Sequence, residues 1–154
     1  MSKIFAEQDL SLSVLGDHLE DAGWDVQLEK ERLLLHSERG LGFSLWLDIE
    51  RQFVMLSTYL PIREDFSDRL ALANRCNHEV FLGNFYVDGD GDLVVSYAMT
   101  FERGLILAQL TRIVLRFGSM LDHVLRRYDP EGSIFDFGEG NSLSEQPSLP
   151  STLQ

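Results

Sequence analysis

Two runs in the middle of the chain, residues 42–49 and 52–60, alternate in side-chain character and are separated only by the polar pair Glu50-Arg51. So short a link admits only an antiparallel hairpin, because parallel strands need a crossover of a dozen or more residues. Whether the link closes over two residues or four, the pairing parity is the same: Leu47 faces Val54 and Leu45 faces Leu56, while Trp46 faces Met55 and Asp48 faces Phe53. The two faces then differ in kind. Phe43, Leu45, Leu47, Val54 and Leu56 form an aliphatic and aromatic layer suited to a core beneath helices. Trp46, Phe53, Met55 and Tyr59 are interspersed with Ser44, Asp48 and Ser57, a mixture of amphipathic anchors and polar rim suited to recognising a partner. The plainer alternative is that this face packs under the first helix or a second subunit.

The periods on either side supply the helices. Ser11 can cap a helix in which Leu12, Leu15, Leu19 and Ala22 recur at three- and four-residue steps and which Gly23 ends. Short strands are expected over residues 24–30 and 32–37. Pro61 stops the second hairpin strand, and Asp65, with Asp68 three residues on, is expected to open a helix that buries Phe66, Leu70 and Ala73 and ends near Asn77. A second hairpin, residues 80–87 and 92–99, turns around Asp88-Gly89-Asp90-Gly91. A long helix over about 105–128 carries the stripe Ile106, Leu110, Ile113, Phe117, Leu121 and Val124, with Pro130 beyond its end. This order calls for an α+β domain: an antiparallel sheet with N-terminal, middle and long C-terminal helices packed on it.

Both faces of the second hairpin look apolar, with Phe81, Phe85, Val87, Val94 and Ala98 on one and Val80, Leu82, Tyr86, Leu93, Val95, Tyr97 and Met99 on the other. A sheet apolar on both sides must be covered on both sides. The chain's own helices can cover one, so a second subunit is a candidate for the other and a homodimer is expected.

After Tyr128 the texture changes to acids, Gly, Ser and Pro with no Lys or Arg. The chain is therefore expected to form one domain over residues 1–130 and an acidic, flexible tail over 131–154 whose apolar surface is too small to offset its ordering entropy. Ile134, Phe135 and Phe137 interrupt that tail, and docking on its own domain is a simpler fate for them than docking on another protein.

Charge and chemistry narrow the function. Asp and Glu number 25 against 13 Lys and Arg, a net of −12, and such a field repels a phosphate backbone and anionic membranes. Residues 1–11 lack an apolar signal segment, the longest uncharged run (52–62) is too short for a membrane span, and Cys76 is alone, so a cytoplasmic protein is expected. Asp88, Asp90 and Asp92 have the one-three-five spacing of a calcium loop. Position six, however, is Leu93 and position twelve is Met99, so a hairpin turn with positive φ at Gly89 and Gly91 accounts for them without metal. His18, His36, His78 and His123 are scattered singly. Cys76 sits near a helix C-terminus, which disfavours a thiolate, and no nucleophile elbow, Walker loop or dinucleotide fingerprint occurs. No catalytic residue, metal ligand or cofactor site is assigned.

The stretch NRCNHEVFLGNFYVDGDGDLVVSY, residues 74–97, joins two asparagines at a helix end, an aromatic-rich strand, a DGDGD turn and an alternating strand. It resembles the YbjN-like family, and the element order agrees from about Ser11 to Tyr128. That family resembles type III secretion chaperones in fold and is described as bacterial regulators or peptide-binding chaperones without established catalysis. The resemblance implies a non-enzymatic protein-binding module, chaperone-like or regulatory, that holds a segment of another protein; pairing of subunits is common among the secretion chaperones. The partner-binding candidates are Trp46, Phe53, Met55 and Tyr59. The alternative is a small-ligand sensor or cryptic enzyme with a pocket between sheet and helices.

Overall fold

Residues 4–138 are described by a computed structural model of the chain. Helix α1 (Leu12–Asp21) begins where Ser11 Oγ accepts the Val14 N–H at 3.1 Å, and the chain leaves it through Gly23 at φ +94°. Short strands β2 (Gln27–Leu28) and β3 (Leu33–His36) follow, then the central hairpin β4 (Gly42–Asp48) and β5 (Phe53–Leu60). Helix α2 (Arg69–Glu79), the hairpin β6 (Asn84–Val87) and β7 (Leu93–Thr100), and helix α3 (Leu107–Tyr128) complete the order. The six strands form one antiparallel sheet in the order β2-β3-β4-β5-β7-β6. At the N-terminus β1 (Ile4–Phe5) pairs separately with β8 (Leu105–Ile106). The architecture is α+β, as its element order requires.

The central register is the expected one: Leu45 lies opposite Leu56, Trp46 opposite Met55, Leu47 opposite Val54 and Asp48 opposite Phe53. The link spans residues 49–52, with Arg51 N–H on Asp48 Oδ1 at 2.9 Å and Gln52 at φ +60°. Parity carries the same two faces through the neighbouring strands. On one face Leu33, Leu35, Phe43, Leu45, Val54, Leu56, Leu93, Val95 and Phe85 form a single buried cluster with Leu15 and Leu19 of α1, Leu72 and Cys76 of α2, and Leu110, Phe117 and Leu121 of α3. Leu34 and Val94 belong to the opposite face; both are buried, yet neither is part of that cluster.

Several expectations need correction. Helix α2 starts at Arg69 rather than near Asp65; Leu70, at 71% exposure, points away from the core, and Leu72, Ala73 and Cys76 supply the buried stripe, while Phe66 packs from the preceding turn. Asn77 is inside the helix and does not end it: its side-chain amide donates to Phe85 O at 2.8 Å and accepts the Phe85 N–H at 2.9 Å, tying α2 to the outer edge of β6. The left-handed residue is Leu82, at φ +85°. Residues 80–83 are spent on this link, so β6 begins only at Asn84 and Phe81 stands 93% exposed.

The faces of the second hairpin also differ from expectation. Phe85 pairs with Val95 and Val87 with Leu93, so these residues share the helix side with Tyr97 and Met99, and the outer side holds Tyr86, Val94 and Ala98 with Asn84 and Ser96. That hairpin is therefore mixed on its outer side, and its own faces do not call for a second subunit. Lastly, the segment expected to begin a tail at 131 runs back over the domain as far as 138. Phe135 bridges Ile62, Arg63 N–H donates to Ile134 O and Asp136 N–H to Pro61 O, both at 2.8 Å. The Asp129 carboxylate accepts the N–H groups of Ser133, Ile134 and Phe135 at 2.6, 3.1 and 2.9 Å, and Phe135 is 2% exposed in the core. The rest of the expected tail, 139–154, lies outside the described residues.

Candidate functional site

The outer face of the sheet is built by alternation alone. Trp46 and Met55 are cross-strand partners, Phe53 lies two residues from Met55 on the same strand, and Tyr59 pairs with Val94 at the far end. The four sequence-predicted residues thus share one face along β4 and β5. Phe53 is at the exposure boundary and Trp46, Met55 and Tyr59 are half-buried, while Leu34, Ser44, Ser57 and Val94 between them are buried. Large amphipathic side chains lying over small ones leave apolar surface available while keeping the sheet backbone dry. Trp46 Nε1–H reaches Ser57 Oγ at 3.4 Å, and Arg32, held by Glu29 at 2.6 Å, donates from Nη1 to Ser44 Oγ at 3.2 Å.

Burial pushes the Tyr59 hydroxyl up, and the carboxylates of Asp92 and Asp88 add to the shift against the pull of Arg32. Two carboxylates and one guanidinium thus act on the same hydroxyl. Arg32, Leu34, Tyr86 and Val94 complete the surface beyond the residues expected from sequence. Leu34 is hidden there because Leu33-Leu34-Leu35 shows no alternation; only its pairing with Ser44 assigns its side.

Two carboxylates of the Asp88–Asp92 loop accept backbone N–H groups of the chain itself. Asp88 Oδ1 accepts the N–H groups of Asp90 and Asp92 at 3.0 and 2.9 Å, and Asp92 Oδ1 accepts Ile62 N–H at 3.2 Å. Of the two glycines only Gly91 takes a positive φ, +85°, and a β-carbon there would lie 1.8 Å from Arg69 Nη1, which donates to Gly91 O at 3.1 Å. Burial raises the Asp92 carboxyl, opposed by the Ile62 N–H it accepts. Among the described residues no three His, Cys, Asp or Glu side chains come together as a ligand set.

The remaining titratable groups join elements. His18 Nε2 lies 3.0 Å from Thr111 Oγ1, linking α1 to α3. Tyr128 O–H donates to Glu79 Oε2 at 2.6 Å under the Arg75 guanidinium, 5.2 Å from the ring, linking α3 to α2. Cys76 is fully buried and its thiol is pushed up to about 11 by that burial, which keeps it protonated. Among the described residues no helix is long and apolar enough to cross a membrane.

Comparison with known proteins agrees with the fold. The YbjN family, described as "putative bacterial sensory transduction regulator", matches residues 11–128. The fold is similar to that of E. coli YbjN, a putative transcription regulator, with TM-score 0.67 and 19% identity over 82% of this chain and 96% of that one. It is also similar to a chain of the HopA1–SchA chaperone–effector complex, with TM-score 0.51 and 16% identity over 73% of this chain and 88% of that one. A chain of the ExsC–ExsE complex matches with TM-score 0.51 and 23% identity, over 76% of this chain and 94% of that one. No curated protein matches the sequence. The chain belongs to the YbjN family.

Proposed function

We propose that this family member holds a segment of another protein against the outer face of its sheet, in a chaperone-like or regulatory role. The observation that carries the proposal is the division of the sheet: the helices bury one face, and the other presents Trp46, Phe53, Met55 and Tyr59 partly open to solvent. Large aromatic and Met side chains around a buried floor are the composition of an interface centre, where a few anchors carry most of the affinity. Support also comes from the chaperone–effector complex among the similar folds. In this role the chain needs no catalytic residue, metal or cofactor, and its partner in the cytoplasm is a protein segment rather than nucleic acid or membrane. Homodimerisation is compatible with it and is tested by light scattering: a monomer mass at high micromolar concentration rejects the dimer.

The test is an array of overlapping 15-residue peptides drawn from the source organism's proteins, probed with the full chain and with the Trp46→Ala Tyr59→Ala double variant. Truncating two anchors should weaken capture by about 2–4 kcal/mol while amide spectra keep the native dispersion. Capture that survives the double substitution, or a double variant that unfolds, rejects the site.

A further inference from the structure

One end of the outer face is built for a particular kind of side chain. Tyr59 of β5 and Tyr86 of β6 are both cross-strand partners of Val94, so the two phenols stand on either side of it in one row across three strands. Val94 is buried on the side away from the helices, while Tyr86 beside it stands 37% exposed. The valine is thus the floor of a cleft whose walls are tyrosines. The spacing of neighbouring strands sets the two tyrosines roughly 10 Å apart, so a group midway between them lies roughly 5 Å from each ring, inside the roughly 6 Å range over which an aromatic face holds a cation.

Asp88 follows Tyr86 by two residues at the rim of this cleft. Burial raises the hydroxyls of both tyrosines, and the Asp88 carboxylate adds to the rise in each. Nothing in the described chain neutralises that carboxylate. Its Oδ1 accepts the N–H groups of Asp90 and Asp92, its Oδ2 accepts none among the described residues, and no ion pair among them involves the 88–92 turn. Arg69, against the same turn, donates to the carbonyls of Arg63, Phe66 and Gly91 instead. Arg32 is paired with Glu29 and lies on Ser44 of β4, across Tyr59 from Val94. Aromatic walls alone accept any apolar group; with an unneutralised carboxylate at the rim they favour a cation on an apolar stem. The net charge of −12 acts in the same direction.

We propose that the segment held on this face is a basic one, which lays a Lys or Arg side chain between Tyr59 and Tyr86 with its charge against Asp88. The inference rests on the reading of the outer face as a segment-binding site and adds the class of segment. Peptides captured by the array are remade with citrulline in place of each Arg and norleucine in place of each Lys, which removes the charge and keeps the stem. At one basic position the exchange should weaken binding to the full chain roughly tenfold. Tyr86→Leu, which alters no charge and keeps an apolar side chain over Val94, should cost a similar factor, and the two losses should not add because both remove one contact. Asp88→Asn keeps the oxygen that closes the turn and should weaken the basic peptide several-fold, whereas Glu20→Gln, on the exposed surface of α1, should not.

In the complex the methylene protons beside the cation should move upfield under the ring currents of the two tyrosines, and less so in Tyr86→Leu. Equal affinity of charged and neutral peptides overturns the proposal, as does a charge effect that Tyr86→Leu leaves intact, which would assign it to the general field of an acidic chain. If capture in either case still depends on Trp46 and Tyr59, the face holds segments of another chemistry. If capture is absent, or independent of those two residues, both the proposal and the reading beneath it fall.

Discussion

Phe135 and Phe81 make the sharpest contrast the fold offers. Both are phenylalanines in links outside regular structure, but Phe135 is 2% exposed in the main core and Phe81 is 93% exposed. Phe135 also packs against Phe137, with tilted rings whose centroids are 6.3 Å apart, and is positioned by the Asp129 carboxylate and by the bridge to Ile62. Truncation of a fully buried Phe removes its transfer free energy and leaves a cavity, so Phe135→Ala should cost about 3–5 kcal/mol. In a domain of this size each kcal/mol is worth roughly 2–4 °C, which places the drop in Tm near 6–20 °C. Phe81→Ala should change stability by less than about 0.5 kcal/mol. Urea unfolding of both variants, with thermal scans alongside, measures the difference directly. A cost under about 1 kcal/mol for Phe135→Ala would refute the inclusion of residues 131–138 in the folded unit.

Asn77→Ala removes both hydrogen bonds to Phe85 and leaves the edge of β6 to water; a loss of about 1–3 kcal/mol and faster hydrogen exchange at the Phe85 amide are expected, and unchanged exchange would contradict the tie between α2 and β6. The Tyr128 hydroxyl is raised to about 12 by burial and by its bond to Glu79, so it contributes stability that is fully present below pH 10 and lost as pH rises toward 12. Tyr128→Phe should therefore flatten the alkaline fall in Tm; an unaltered profile would assign that fall to other groups. Calorimetry with millimolar calcium should show no saturable heat, because Asp88 and Asp92 oxygens already accept backbone N–H groups; a one-to-one isotherm lost in Asp90→Ala would overturn this.

Legibility in the sequence depends on contrast between neighbouring residues. The β4–β5 register is legible because polar and apolar residues alternate there and parity is independent of whether the link has two or four residues. The β6–β7 faces come out of phase by one residue, since nothing in a run that is apolar at nearly every position fixes which parity faces the helices. Asp65 and Asp68 are both competent caps, and only the burial of Leu72, Ala73 and Cys76 shows that the later one precedes the helix. Propensity gives Asn77 a terminal role, whereas a partner eight residues away in sequence determines its use. Phe135 is visible as an apolar interruption, but composition averaged over the acidic segment conceals that a single ring enters the core. All four predicted face residues do lie on one face; Arg32, Leu34, Tyr86 and Val94 join them through pairings that sequence periodicity does not reveal.

The central claim concerns which side of the sheet meets a partner, and a titration of one array-selected peptide into isotope-labelled full chain tests it most directly. The outer-face account predicts that the Trp46 indole, the Met55 methyl and the Tyr59 ring shift together and saturate at one equivalent, while the buried helix-side methyls of Leu45 and Leu56 stay in place. Shifts centred on the exposed surfaces of α2 and α3, with those three signals unmoved, would contradict it.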